Sequence, residues 1–141
     1  MAVNEEGFVR LFNMQYAPSQ ITAVAKEAIS DGEFVFCSGA TGVVNGGTDS
    51  YTVSDIEVAT NASGANVIGM ALGDADSGSK VTIATRGAVI VRVGTSIDAS
   101  QAAGVDGSHG VAPAGGYDEV VGRTLTAGAS GGYCIVGMNL V

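Results

Sequence analysis

Val67-Ile68-Gly69-Met70-Ala71-Leu72, followed after a four-residue spacer by Ser77-Gly78-Ser79-Lys80-Val81-Thr82-Ile83, decides the reading of this chain. The pattern returns 53 residues later as Val120-Val121-Gly122-Arg123-Thr124-Leu125, then Ser130-Gly131-Gly132-Tyr133-Cys134-Ile135-Val136. Apolar and β-branched runs on either side of a Ser-Gly pair read as two short strands joined by a tight turn. The unit is used twice, over 67–83 and 120–136. Ser30-Asp31-Gly32-Glu33-Phe34-Val35-Phe36 reads as a fainter third copy. A chain that repeats a strand–turn–strand unit, and puts no reactive side chain in it, reads as a scaffold or coat component rather than a catalyst.

Between the two copies lies the strongest strand signal, Val81 to Val93. Val81, Ile83 and Thr85 share one face before Gly87, and Val89, Val91 and Val93 share one after it, as period-2 alternation requires. These valines and isoleucines are expected in the core, with Leu72 and Leu125 buried in equivalent places. Arg86 and Arg92 fall on the other phase and are expected to face solvent or a neighbour. A glycine in mid-run marks a bend or bulge, as in small barrels. Glu33 to Ser38, Tyr51 to Val58 and Tyr133 to Leu140 also read as strands. Ile21, Val24, Ala25 and Ala28 fit either a weak helical stripe or an edge strand. The expected fold is all-β: a small Gly-rich barrel or sandwich over 21–141, with at most one short helix.

Residues 1–20 differ in character. Phe8, Leu11, Phe12, Met14 and Tyr16 gather three of the eight aromatics into a short stretch that ends at Pro18. It reads as an extended arm that docks on something, or as a first strand packed on its own domain.

Composition narrows the function. At 141 residues the chain is long enough for one domain with a core. Its 46% hydrophobic residues exclude disorder, and 22 glycines without a short period exclude collagen. Six basic residues against fourteen acidic ones give a net charge of −8, and no two basic residues adjoin, so neither nucleic acid nor an anionic membrane is an expected partner. No run approaches the ~20 apolar residues of a membrane span, and the acidic start is unlike a signal peptide. Cys37 and Cys134 have no CxxC spacing; they are either buried thiols or a disulfide tying an early strand to the last one.

Three motifs look chemical and fail on their neighbours. In Gly73-Asp74-Ala75-Asp76-Ser77-Gly78-Ser79-Lys80 the lysine comes one residue late for a phosphate loop, and a strand follows instead of a helix. As a calcium loop, the segment from Asp74 has Gly78 at the fifth position and Thr85 where the bidentate Glu belongs. Gly128-Ala129-Ser130-Gly131-Gly132 matches a nucleophile elbow, but the sole histidine, His109, lies upstream, and Ser77 shows that the serine belongs to the repeated turn. No catalytic residue, cofactor or metal is expected, and the chain is not expected to be an enzyme.

The order Asp31-Gly32-Glu33-Phe34-Val35, Gly42-Val43-Val44, Val67-Ile68-Gly69-Met70-Ala71-Leu72, Thr85-Arg86-Gly87-Ala88-Val89, Val121-Gly122-Arg123-Thr124-Leu125 and Val136-Gly137-Met138-Asn139-Leu140-Val141 resembles the capsid decoration, or cement, proteins of tailed double-stranded DNA viruses. The likeness covers residues 20–141. It implies a virion structural protein on the outer surface of the icosahedral capsid, assembled in the host cytoplasm. Its role would be head stabilisation by bridging major capsid protein subunits, commonly as a homotrimer. In that family an N-terminal arm commonly adds to a capsid strand, which makes Phe8, Leu11, Phe12, Met14 and Tyr16 the candidate capsid-binding residues. The alternative is a β-module of a virion tail or fibre that binds a host receptor or glycan. Loops 45–50 and 106–117 would then carry function, with Tyr51 and Tyr117 as stacking residues.

Overall fold

A computed structural model describes residues 19–40, 56–60, 66–106, 110–115 and 120–140. These residues form strands and turns with no helix, in the order β1 (Ser19–Ala25), β2 (Phe34–Ala40), β3 (Ile56–Thr60), β4 (Val67–Ala71), β5 (Lys80–Arg92), β6 (Ala102–Val105), β7 (Val111–Pro113), β8 (Val120–Thr124) and β9 (Tyr133–Asn139). The fold is all-β, as expected. Segment 20–29 resolves as strand β1 running into a turn.

β5 organises the molecule. Its first half pairs with β1 on one edge and β4 on the other, and β2 and β3 complete a closed five-stranded barrel. Its second half pairs with β9, which leads through β8 and β6 to β7. A parallel bridge, Val93 to Val111, returns β7 to β5 and rounds off a second barrel. Gly87, with φ of 113°, is the seam between the halves, a conformation that costs a glycine little and other residues a good deal. Ser19 and Asn139 both register with Arg86, so β1 enters and β9 leaves at this seam.

The two barrels are copies of one unit, and the duplication reaches well beyond the two sequence repeats. Ile21 pairs with Ile83 and Ala23 with Val81 in the first barrel; Val89 pairs with Val136 and Val91 with Cys134 in the second. The Ala25–Val58 pairing recurs as Val93–Val111, and the Ile29–Ala75 bridge as Ile97–Gly128. The register slip after Val35 recurs after Ala103. Residues up to β2 map onto their copies 68 positions on, as Ile29 onto Ile97, while those from β3 onward map 53 positions on, as Val58 onto Val111. The Ser30–Phe36 segment is therefore no third copy of the turn. It is the counterpart of 98–104, and its Ser30 amide donates to Glu33 Oε1 as the Asp98 amide donates to Gln101 Oε1.

Each barrel is filled from the inward phase of its strands. Ala23, Ala25, Ile29, Val35, Val58, Val81 and Ile83 pack the first, and their counterparts Val91, Val93, Ile97, Ala103, Val111, Cys134 and Val136 pack the second. The expected core valines and Ile83 are all buried. The two leucines are not. Leu72 is half-buried and Leu125 is 55% exposed. Each stands one residue past the end of its strand, where its amide is held by the Thr82 or Ile135 carbonyl and the alternation turns its side chain outward. The inward place beside Leu125 goes to Thr124. Its buried hydroxyl is satisfied by donating to the Asp98 carbonyl and accepting from the Gln101 amide.

Candidate interaction surface

Each chemical-looking motif has a structural occupation. The Ser77 hydroxyl donates to the Lys26 carbonyl at 2.9 Å, and Ser130 does the same to Gly94 at 2.7 Å. These hydroxyls pin the repeated turn to the preceding segment of their own barrel. Gly78 and Gly131, at φ 86° and 83°, sit in the left-handed region the turn demands. Asp74 accepts the Asp31 amide across the end of the first barrel at 2.8 Å. Among the described residues no three His, Cys, Asp or Glu side chains gather to hold a metal ion.

Both cysteines are free thiols; Cys37 is exposed and Cys134 buried. Burial pushes the Cys134 thiol above its usual range, since the interior disfavours the thiolate. A thiol reagent should label one cysteine in the folded protein and two in denaturant. The sign at alkaline pH follows from the raised value. Both states hold the proton below the unfolded thiol's pKa. As pH rises through and above it, the unfolded chain ionises first and stability falls. Urea midpoints compared for the natural protein and Cys134→Val across that range should show the drop in the former alone.

The arm residues Phe8, Leu11, Phe12, Met14 and Tyr16 lie outside the described residues, as do Tyr51, His109 and Tyr117. The arm's point of attachment is described. Residue 18 precedes Ser19, whose carbonyl accepts the Thr85 hydroxyl at the seam. Leu140 is tied to the same residue, its amide donating to the Thr85 carbonyl.

An open groove of about 270 Å³ lies beside this point on the second barrel, lined by Val120, Val121, Gly122, Arg123, Gly137, Asn139 and Leu140. Its origin is a difference between the copies. In the first barrel the row across β2, β4 and β5 is Phe34, Met70 and Ala84, all buried. In the second the same row is Ala102, Arg123 and Gly137. Gly137 supplies no side chain, and Arg123 is exposed, its guanidinium donating to the Ser100 carbonyl at 2.7 Å. Further along this outer face, Arg92 stacks over the Tyr133 ring at 6.0 Å, and Leu125 and Tyr133 stand exposed. Arginine, an aromatic ring and exposed aliphatics form a surface suited to protein contact. Sequence reading placed Leu125 in the core and so missed this surface; the outward phase of Tyr133 and Ile135 beside it was the available signal.

No family model and no curated protein matches this sequence. Among solved structures, the chain is similar to the N base of head fiber gp8.5 in bacteriophage phi29, with a TM-score of 0.63 and 19% identity. The likeness spans 86% of this chain and 93% of that one, so it describes the two-barrel fold nearly whole.

Proposed function

We propose that this chain is a virion structural protein of a tailed phage that binds the outer surface of the icosahedral head and stabilises it by bridging major capsid protein subunits. The observation that carries the reading is the shared fold with the base of a head fibre, matched over 93% of that base. The sequence resemblance to decoration proteins points the same way. The serines of the elbow-like motifs are bonded into turns, which supports a binding protein over an enzyme. The arm residues Phe8, Leu11, Phe12, Met14 and Tyr16 are the proposed shell contact, and an oligomer, most simply a homotrimer, is the proposed unit. Many identical weak contacts on a lattice then add through avidity.

The test mixes purified protein with expanded heads that lack it and images them. Density is expected on the outer surface. A chain without residues 2–16 should keep its far-ultraviolet spectrum and thermal midpoint, because the described strands of both barrels run from Ser19 to Asn139, while occupancy falls sharply. Two or three buried apolar side chains at ~1.5–3 kcal/mol each are enough to decide occupancy. Full occupancy without the arm would assign the contact to the barrels. No binding by either form, with cell attachment altered by changes at Tyr117, would favour the receptor-binding alternative.

A further inference from the structure

Because the barrels are copies, each strand position of one outer face has a control in the other. On the outer face of the second barrel Ile90 lies opposite Ile135 and Arg92 opposite Tyr133. The same places in the first barrel hold Thr22 opposite Thr82 and Val24 opposite Lys80. The unit closes with threonine and lysine there, so the fold has no need of the two isoleucines and the tyrosine. Leu125, held to the Ile135 carbonyl, extends the strip. Leu125 at 55% and Tyr133 at 44% are two of the three large apolar side chains standing exposed among the described residues. Burying such a strip is favourable, and the fold leaves Leu125 and Tyr133 exposed and Ile90 and Ile135 half-buried.

Charge specifies the occupant. Arg92 and Arg123 flank the strip, and none of its positions is acidic, in a chain of net charge −8. The first barrel is acidic: Glu27, Asp31, Glu33, Glu57, Asp74 and Asp76 stand against Lys26, Lys80 and Arg86, whereas among the described residues the second sets Asp98 and Asp106 against Arg92 and Arg123. Two such strips facing each other would set arginine against arginine, which disfavours a symmetric pair. We infer that the outer β5–β9–β8 face of the second barrel docks on the acidic first barrel of a second copy, head to tail. Carboxylates of one copy meet Arg92 and Arg123 of the next, around a centre of Ile90, Leu125, Tyr133 and Ile135. A contact of this heterologous kind closes into a ring when its rotation allows. The inference rests on the oligomer proposed above, whose interface it names; head binding is measured separately, so failure of the interface and failure of the shell reading are told apart.

Sedimentation equilibrium of the full chain tests it. Association is expected at about 0.05 M salt and should weaken at about 0.5 M, where surface charges are screened. The variant Ile90→Thr/Tyr133→Lys/Ile135→Thr, which installs the first barrel's own residues, should associate at least about tenfold more weakly, in line with truncation of central contacts. Leu125→Asp should do likewise from an exposed position, which guards against misfolding of the triple variant. Asp31→Asn/Asp74→Asn/Asp76→Asn should also fail to associate alone. Mixed with Leu125→Asp it should form a heterodimer, because each partner keeps one intact half. A monomeric natural protein, a face variant that associates normally, or an inert mixture would overturn the inference. So would face variants that lose head binding with sedimentation unchanged, which would assign the face to the shell.

Discussion

Gly69→Ala and Gly122→Ala should each destabilise the protein by about 3 kcal/mol or more, at the upper end of what overpacking costs. A Cβ on Gly69 would lie 2.3 Å from the Ala84 carbonyl oxygen and 2.5 Å from Ile83 Cγ2. On Gly122 it would lie 2.3 Å from the Gly137 carbonyl oxygen and 2.7 Å from Val136 Cγ1. The obstruction is the backbone of the neighbouring strand, which cannot swing aside like a side-chain tip. Relief requires β4 to move off β5, or β8 off β9, within a closed ring. Gly73→Ala is the control: nothing lies within 4 Å of its Cβ, and its substitution should be close to neutral. Thermal unfolding reads the difference, expected at roughly 10 °C for a chain of this size. Comparable midpoints for Gly69→Ala and Gly73→Ala would mean that the strands are not in this close contact.

Ile29→Ala and Ile97→Ala form a second pair, each expected to cost about 2–5 kcal/mol. Both side chains plug the end of a barrel and are 2% and 3% exposed. Both sit on a two-way amide–carbonyl bridge, to Ala75 and to Gly128, at 2.8–2.9 Å. The pair reports on cooperativity as well as packing. β5 is wall to both barrels, so loss of either should bring down the other, and urea should give one transition with an unchanged slope. Two separate transitions, with each variant shifting only its own, would show that the seam at Gly87 uncouples the barrels.

These pairs also show where sequence was informative. Val67–Val81 and Val120–Cys134 repeat visibly because the Ser-Gly turn and the close-approach glycines demand particular residues, and the structure explains each of them. The other half of the duplication was hidden. Ala23 answers to Val91, Val35 to Ala103 and Phe34 to Ala102, and a core position accepts any apolar residue that fits. The unequal lengths between β2 and β3 and between β6 and β7 also change the offset from 68 to 53, so no single shift aligns the copies. Leu125 misled for a related reason. A leucine present in both copies looks like core, whereas Thr124 beside it looks like surface, and only the hydrogen bonds of the Thr124 hydroxyl reverse the two. Burial depends on where a strand stops, which hydrophobicity does not encode.

The shared strand has a consequence for design. β5 closes one barrel and opens the next without a linker, and β9 occupies in the second barrel the place that the first half of β5 occupies in the first. The architecture therefore has a growing end. If residues 87–140 were appended after Asn139, so that a glycine again followed the last paired residue, β9 would become another common wall and a third barrel could form upon it. Arrays built this way gain one interface per added unit and extend along one axis, as other tandem-repeat proteins do. The length of such a rod would be set by the number of units copied into the gene.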